Sequence, residues 1–183
     1  SVLAQSQAQN VQLRDIFVQN GYVFGLSSYG ITGLYSYLLN SIPPPGNALD
    51  FDGADYVNTG NWNCPVNLTV EAWVYPTNIT GNRTIASQFA SWATNTSYIL
   101  RLDNGVPYFY ISEGVDPTAV GLSSGMTVNT NEWYHIAATY DGVSAKIYVN
   151  GILQNEVAVS FNLLQTTTAH YIGGNQAHGE YFV

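Results

Sequence analysis

The 183-residue chain is 46% hydrophobic and 14% aromatic, enough to bury the core of one domain and too apolar for a disordered tail. Only 9% of its residues are charged, against about 25% in an average soluble protein, so Asn, Gln, Ser, Thr, Tyr and Gly must keep it in water. Twelve acids against four bases (Arg14, Arg83, Arg101, Lys146) argue against nucleic acid as a partner, and no apolar run is long enough for direct membrane insertion.

The first ten residues, SVLAQSQAQN, are small and polar, like sequence downstream of a removed signal or a hydrophobic stalk. Residues 16–25, IFVQNGYVFG, predict two strands around Asn20-Gly21, the strongest short hairpin signal. GLYSYLLN (33–40) fits either another strand or a short helical turn. SIPPPGN (41–47) is stiff and extended, because consecutive prolines fix φ and remove donors. It marks the boundary between an N-terminal extension, residues 1–46, and a main domain, residues 47–183.

In ALDFDGADYVNTG (48–60), Phe51 is expected in the core and Asp52-Gly53 in a turn. NLTVEAWVYP (67–76) carries apolar residues on both faces, as expected of a strand inside a two-layer sandwich. RTIASQFA, SYILRLDNG and VPYFYISEG predict three further strands, with Asn104-Gly105 between the last two. In VPYFYISEG, Phe109 should point inward, opposite Tyr108 and Tyr110. In NEWYHIAATYDG (131–142), alternation sends Trp133, His135, Ala137 and Thr139 to one face and Tyr134, Ile136, Ala138 and Tyr140 to the other. AKIYVNG, ILQNEVAVSF and HYIGGN complete an all-β pattern without long helices or internal repeats.

In this order, ALDFDGADYV, NLTVEAWVYP, NEWYHIAATYDGVSAKIYVNGIL and HYIGGN resemble the laminin-G-like, concanavalin-A-like jelly-roll domains. The resemblance implies two curved antiparallel sheets forming a sandwich. It also implies an extracellular module that binds glycans or proteins, in some members with calcium. Such domains usually continue past a YF pair with one more strand, whereas this chain reads HGEYFV to Val183. The slot of that strand is expected to be filled by the N-terminal extension or by a neighbouring subunit, through strand addition, unless the sequence is a piece of a longer one. The first 46 residues also lack the tryptophan and glycine pattern that often opens these domains.

Candidate chemistry is sparse. His135 sits among hydrophobes and is expected to be a partly buried histidine bonded to backbone. GLSSG (121–125) matches the G-x-S-x-G pattern, and Ser123, Asp141 and His170 follow hydrolase order, but no helix follows to form the nucleophile elbow. Glu71 stands alone in its strand and Glu113 and Asp116 fall in a loop, so the paired carboxylates of a glycosidase are missing. His170 and His178 lack cysteine partners for zinc. DFDGAD supplies Asp50, Asp52 and Asp55 as candidate calcium ligands, without the full calcium-loop pattern; no other cofactor is indicated. Trp62 and Trp92 lie in polar, turn-rich stretches, where they would either stack on sugar rings or cap the end of the sandwich.

Four sequons, at Asn67, Asn78, Asn82 and Asn95, fall within one short region and predict a glycosylated, outward surface. Few carboxylates also mean few protonations that would unfold the chain, which suits an acidic or harsh extracellular setting. These features predict a non-catalytic extracellular protein, structural or adhesive, at the cell surface or in a filament. Its partners would be copies of itself or other surface proteins. The alternative is a carbohydrate-binding module of a larger secreted enzyme or adhesin, with glycans as partners.

Overall fold

The computed structural model describes residues 48–90, 95–114, 119–175 and 177–183, and the backbone of three N-terminal strands, β1 (Leu13–Gln19), β2 (Tyr22–Ser27) and β3 (Tyr35–Leu38). The chain divides into two units, residues 1–40 and 41–183. In the first, β1, β2 and β3 form an antiparallel sheet in that order. Gln19 pairs with Tyr22; the Asn20-Gly21 turn expected between them lies outside the described residues. Tyr35–Leu38 is a strand, not a helical turn.

The second unit begins with β4 (Val57–Asn58), β5 (Leu68–Val74), β6 (Asn82–Phe89), β7 (Thr96–Asp103) and β8 (Val106–Ile111). β9 (Val120–Ser123), β10 (Tyr134–Tyr140), β11 (Ser144–Val149) and β12 (Ile152–Ala158) follow. Short strands β13 (Tyr171–Ile172), β14 (Gly174–Asn175) and β15 (Glu180–Tyr181) end the chain. A four-stranded sheet, β12-β11-β10-β5, packs on a six-stranded sheet, β4-β13-β6-β7-β8-β9, with antiparallel pairing throughout. The all-β sandwich is the predicted one.

The alternation read from the sequence determines what each sheet buries. Tyr134, Ile136, Ala138 and Tyr140 of β10 enter the core, where they meet Leu100, Leu102 and Phe109 from the opposite sheet. Phe51 packs against the same core. Each fully buried side chain of this size contributes about 1.5–3 kcal/mol. Hairpins form where Asn-Gly stands: Asn104 and Gly105 have φ of 47° and 82°, Asn150 and Gly151 of 51° and 75°. Left-handed geometry at both positions matches the twist of the flanking strands.

Double burial does not fall on the expected strand. β5 is one-sided: Leu68 and Val74 are buried, while Thr69 and Glu71 face solvent. Among the described residues it ends its sheet, with β10 on one side only. β6 and β7 are the strands covered on both faces: Ile85 and Ser87 of β6 and Leu100 and Ile99 of β7 are all buried. The cover comes from residues 173–182. Gly173 donates to the Ile85 carbonyl, Ser87 Oγ donates to the Gly174 carbonyl at 3.3 Å, and His178 lies against the Phe89 ring. Gly173 fits because its φ is 75° and a Cβ there would run into the Phe51 ring.

The free side of β5 can be located by hydrogen bonding. His135 accepts from the Asn150 N–H at 2.7 Å, so its backbone faces β11. Antiparallel alternation then turns the backbone groups of its partner Trp73, and of Glu71 and Thr69 opposite Ala137 and Thr139, away from β10. Thr77, just past β5, donates to the Val183 carbonyl at 2.9 Å, which brings residue 183 to the end of this edge.

Candidate functional site

The site is built from the loop between β4 and β5 and the approach to β13. Thr59 donates to the His170 carbonyl at 2.9 Å and His170 N–H donates to the Gly60 carbonyl at 3.0 Å. These bonds zip residues 59–62 onto His170. The imidazole of His170, 2% exposed, accepts at Nδ1 from the Tyr98 hydroxyl (3.1 Å) and donates from Nε2 to the Trp62 carbonyl (3.0 Å). A carbonyl can only accept, so Nε2 carries a proton, and with the ring neutral Nδ1 is left to accept from Tyr98. Burial lowers the pKa of His170 below its usual 6.5, in agreement with that assignment.

The Trp62 indole lies flat on this imidazole, with ring centroids 3.3 Å apart and planes 1° from parallel. The amide of Gln88 binds the carbonyls of both Trp62 (3.1 Å) and Thr168 (3.0 Å). Trp62 is therefore held by its backbone and by one face of its ring, yet remains 47% exposed. Trp62 thus packs against His170 at the sandwich end, as the capping reading expects, and leaves part of its ring accessible.

Below it, Cys64 is buried and its pKa is pushed up to about 12, so the thiol stays protonated and is no nucleophile. Tyr98 is raised as well, by burial and by Cys64. Sequence reading missed this meeting of Trp62, Gln88, Tyr98 and His170 because their positions lie far apart in the chain.

The other candidates do not converge. Ser123 Oγ accepts from Gly125 N–H, Asp141 accepts from Val143 and Ser144 N–H in its own turn, and His170 is committed as above. Hydrogen bonds from Val143 and Ser144 hold the Asp141 carboxyl below its usual range. Ser123, Asp141 and His170 form no triad. His135 bonds to Glu71 at 3.5 Å across the β10–β5 pair, so its ring partner is a carboxylate and not backbone as expected. Burial lowers the His135 pKa more than Glu71 raises it. The contact is thus a hydrogen bond from a mostly neutral ring, and with Glu71 62% exposed it adds little stability.

On this outer face Trp73 packs against His135, and Tyr75 against Trp133, each at 5.4 Å and 50°. These rings are tilted into one another and offer no common plane. Asp52 caps its own turn by accepting from Ala54 N–H, and Asp50 and Asp55 are exposed. No group of three His, Cys, Asp or Glu able to hold a metal occurs among the described residues. Glu113 is half-buried; Trp92 and Asp116 lie outside the described residues.

Residues 51–183 match the Laminin_G_3 family model, described as the concanavalin A-like lectin/glucanases superfamily. The chain belongs to this superfamily. Among curated proteins no sequence matches. Solved structures share the fold of this concanavalin A-like chain at low identity. Domains LG4-5 of the mouse laminin alpha1 chain align with a TM-score of 0.56 at 15% identity, covering 72% of this chain and 37% of that one. A Bacteroides ovatus protein designated carbohydrate-binding aligns at 0.58 and 19%, covering 88% and 48%. The CBM40 domain of the Ruminococcus gnavus IT-sialidase, bound to alpha2,3 sialyllactose, aligns at 0.51 and 15%, covering 67% and 70%. The concanavalin A-like chain thus spans less than half the length of the first two. No helix among the described residues is long and apolar enough to cross a membrane.

Proposed function

We propose that this concanavalin A-like domain is a non-catalytic, extracellular glycan-binding module that serves adhesion through Trp62. The supporting observation is the indole itself, half exposed and held flat against a buried neutral histidine. A pyranose stacks on such a face through its C–H groups, and a ring fixed beforehand loses little freedom on binding. The carbohydrate-binding neighbours agree with this reading. Replacing Trp62 by alanine should weaken binding of an array-selected oligosaccharide at least about tenfold by calorimetry, as for a truncated binding hot spot. Trp62→Phe should retain part of the affinity. A wild-type chain that binds no glycan, or an alanine variant that binds as well, would overturn the proposal.

Extracellular placement would bring sugar onto the chain itself. Asn67 and Asn78 are exposed and suit modification; Asn95 is exposed too, but its Oδ1 accepts from Thr166, and Thr96 and Ser97 after it are buried. Asn82 suits it poorly, because its Nδ2 donates to Glu180 at 2.7 Å.

A second reading, self-assembly at a surface, is favoured by the open edge of β5. Its outward groups at Thr69, Glu71 and Trp73 would accept a strand from another copy. The N-terminal residues are the proposed donor. Sedimentation should then show concentration-dependent polymers that vanish when residues 1–20 are deleted. A monomer at every concentration would rule this reading out.

A further inference from the structure

We infer that the Trp62 surface selects neutral glycans and rejects sialylated, uronic-acid or sulfated ones; this rests on the glycan-binding reading above. The argument is one of charge. Four segments meet at Trp62 through the contacts already described: residues 59–66, 85–90, 95–100 and 163–170. None of them contains an Asp, Glu, Lys or Arg. Their one titratable base, His170, is buried and donates its N–H to the Trp62 carbonyl, so it has no hydrogen to offer a ligand.

Elsewhere, each described Arg and Lys side chain has at least one protein partner, and His178 packs on the Phe89 ring. Arg83 Nη1 donates to the Tyr181 carbonyl, Arg101 pairs with Glu180 at 3.3 Å, and Lys146 pairs with Glu156 at 3.4 Å. An acidic sugar would leave its carboxylate or sulfate without a counter-charge, next to a chain of net charge -8. A neutral hexose loses nothing of that kind. Its apolar face covers the indole while its hydroxyls meet uncharged, exposed side chains beside it, Thr59, Asn61 and Asn63. The discrimination is by sign of charge, independent of sugar stereochemistry.

The test compares one neutral oligosaccharide with its sialylated counterpart, by calorimetry on the full chain, from low to high salt. The neutral ligand should bind at least about tenfold more tightly. Its affinity should change less than about twofold over a salt range that shortens the Debye length from about 30 Å to 3 Å. Tighter binding of the sialylated ligand, falling as salt rises, would overturn the inference while leaving glycan binding intact. Equal affinity for both ligands would overturn it as well. Failure of both ligands and of a wider neutral array would remove the glycan-binding reading and this inference with it.

Discussion

Replacing Glu180 with alanine is expected to destabilise the domain by about 3–5 kcal/mol, the usual loss when one partner of a buried ion pair is removed. The carboxylate closes the cover over β6 and β7. Oε1 accepts from Asn82 Nδ2 (2.7 Å) and from Arg101 Nη1 (3.3 Å), and Oε2 takes a longer contact from Thr84 Oγ1 at 3.4 Å. The Glu180 and Arg101 side chains are each 12% exposed, so solvent screens the pair only weakly. Alanine leaves Arg101 with Asp103 as its carboxylate partner, at 3.8 Å and 40% exposed. For a domain of this size the melting temperature should fall by roughly 10 °C. Glu180→Gln, which retains an acceptor oxygen and the side-chain shape, should fall between alanine and wild type. A loss below about 1 kcal/mol for alanine in a urea titration would show that the cover is held by its apolar contacts alone.

Stability is also expected to decline as pH drops below 6.5, through the imidazoles of His170 and His135. Burial is the leading cause of the lowered pKa at both. The sign follows from linkage. The unfolded chain takes up protons near the usual 6.5, while the folded chain resists until the pH reaches the depressed folded values. The contribution of the neutral rings is complete above 6.5 and disappears as pH falls through those folded values. Protonating His170 would place a second N–H where Nδ1 now accepts from Tyr98. The midpoint of urea unfolding, followed from about pH 8 to about pH 4, should fall across this window. His135→Gln should remove one of the two contributions. The exposed Glu132 and Asp141, both lowered by hydrogen bonds, act only in the more acidic range below 4.5 and 3.8. A flat profile would favour the acid-tolerant setting suggested by the scarcity of carboxylates and would show that His170 gains its proton without cost.

The sandwich and its hairpins were readable because they depend on local rules. Period-two alternation placed Tyr134, Ile136, Ala138 and Tyr140 inside, and Asn-Gly marked the turns at 104 and 150. What could not be read is lateral order. Whether a strand is buried on one face or both depends on what crosses it, and nothing in NLTVEAWVYP shows that β5 ends its sheet among the described residues while β6 and β7 lie under a second layer. The candidate site was half legible: Trp62 stood out by its polar surroundings. Its support did not, because His170, Gln88 and Tyr98 arrive from three separate strand regions. Even the partner of His135 was hidden, since a cross-strand neighbour has no fixed spacing in the chain.

The cover over β6 and β7 also sets the order in which the molecule can be completed. Thr59, Trp62, Asn82, Thr84 and Gln88 all find partners between residues 168 and 180, at separations of 80 to 111 positions. During synthesis the polar flank of these strands leaves the ribosome long before its counterpart exists. At roughly 5–20 residues per second that gap lasts on the order of ten seconds. Nascent chains therefore pass through an interval in which nearly all the strands have been made and the platform for Trp62 has not, a window open to chaperones and to stray strand pairing alike.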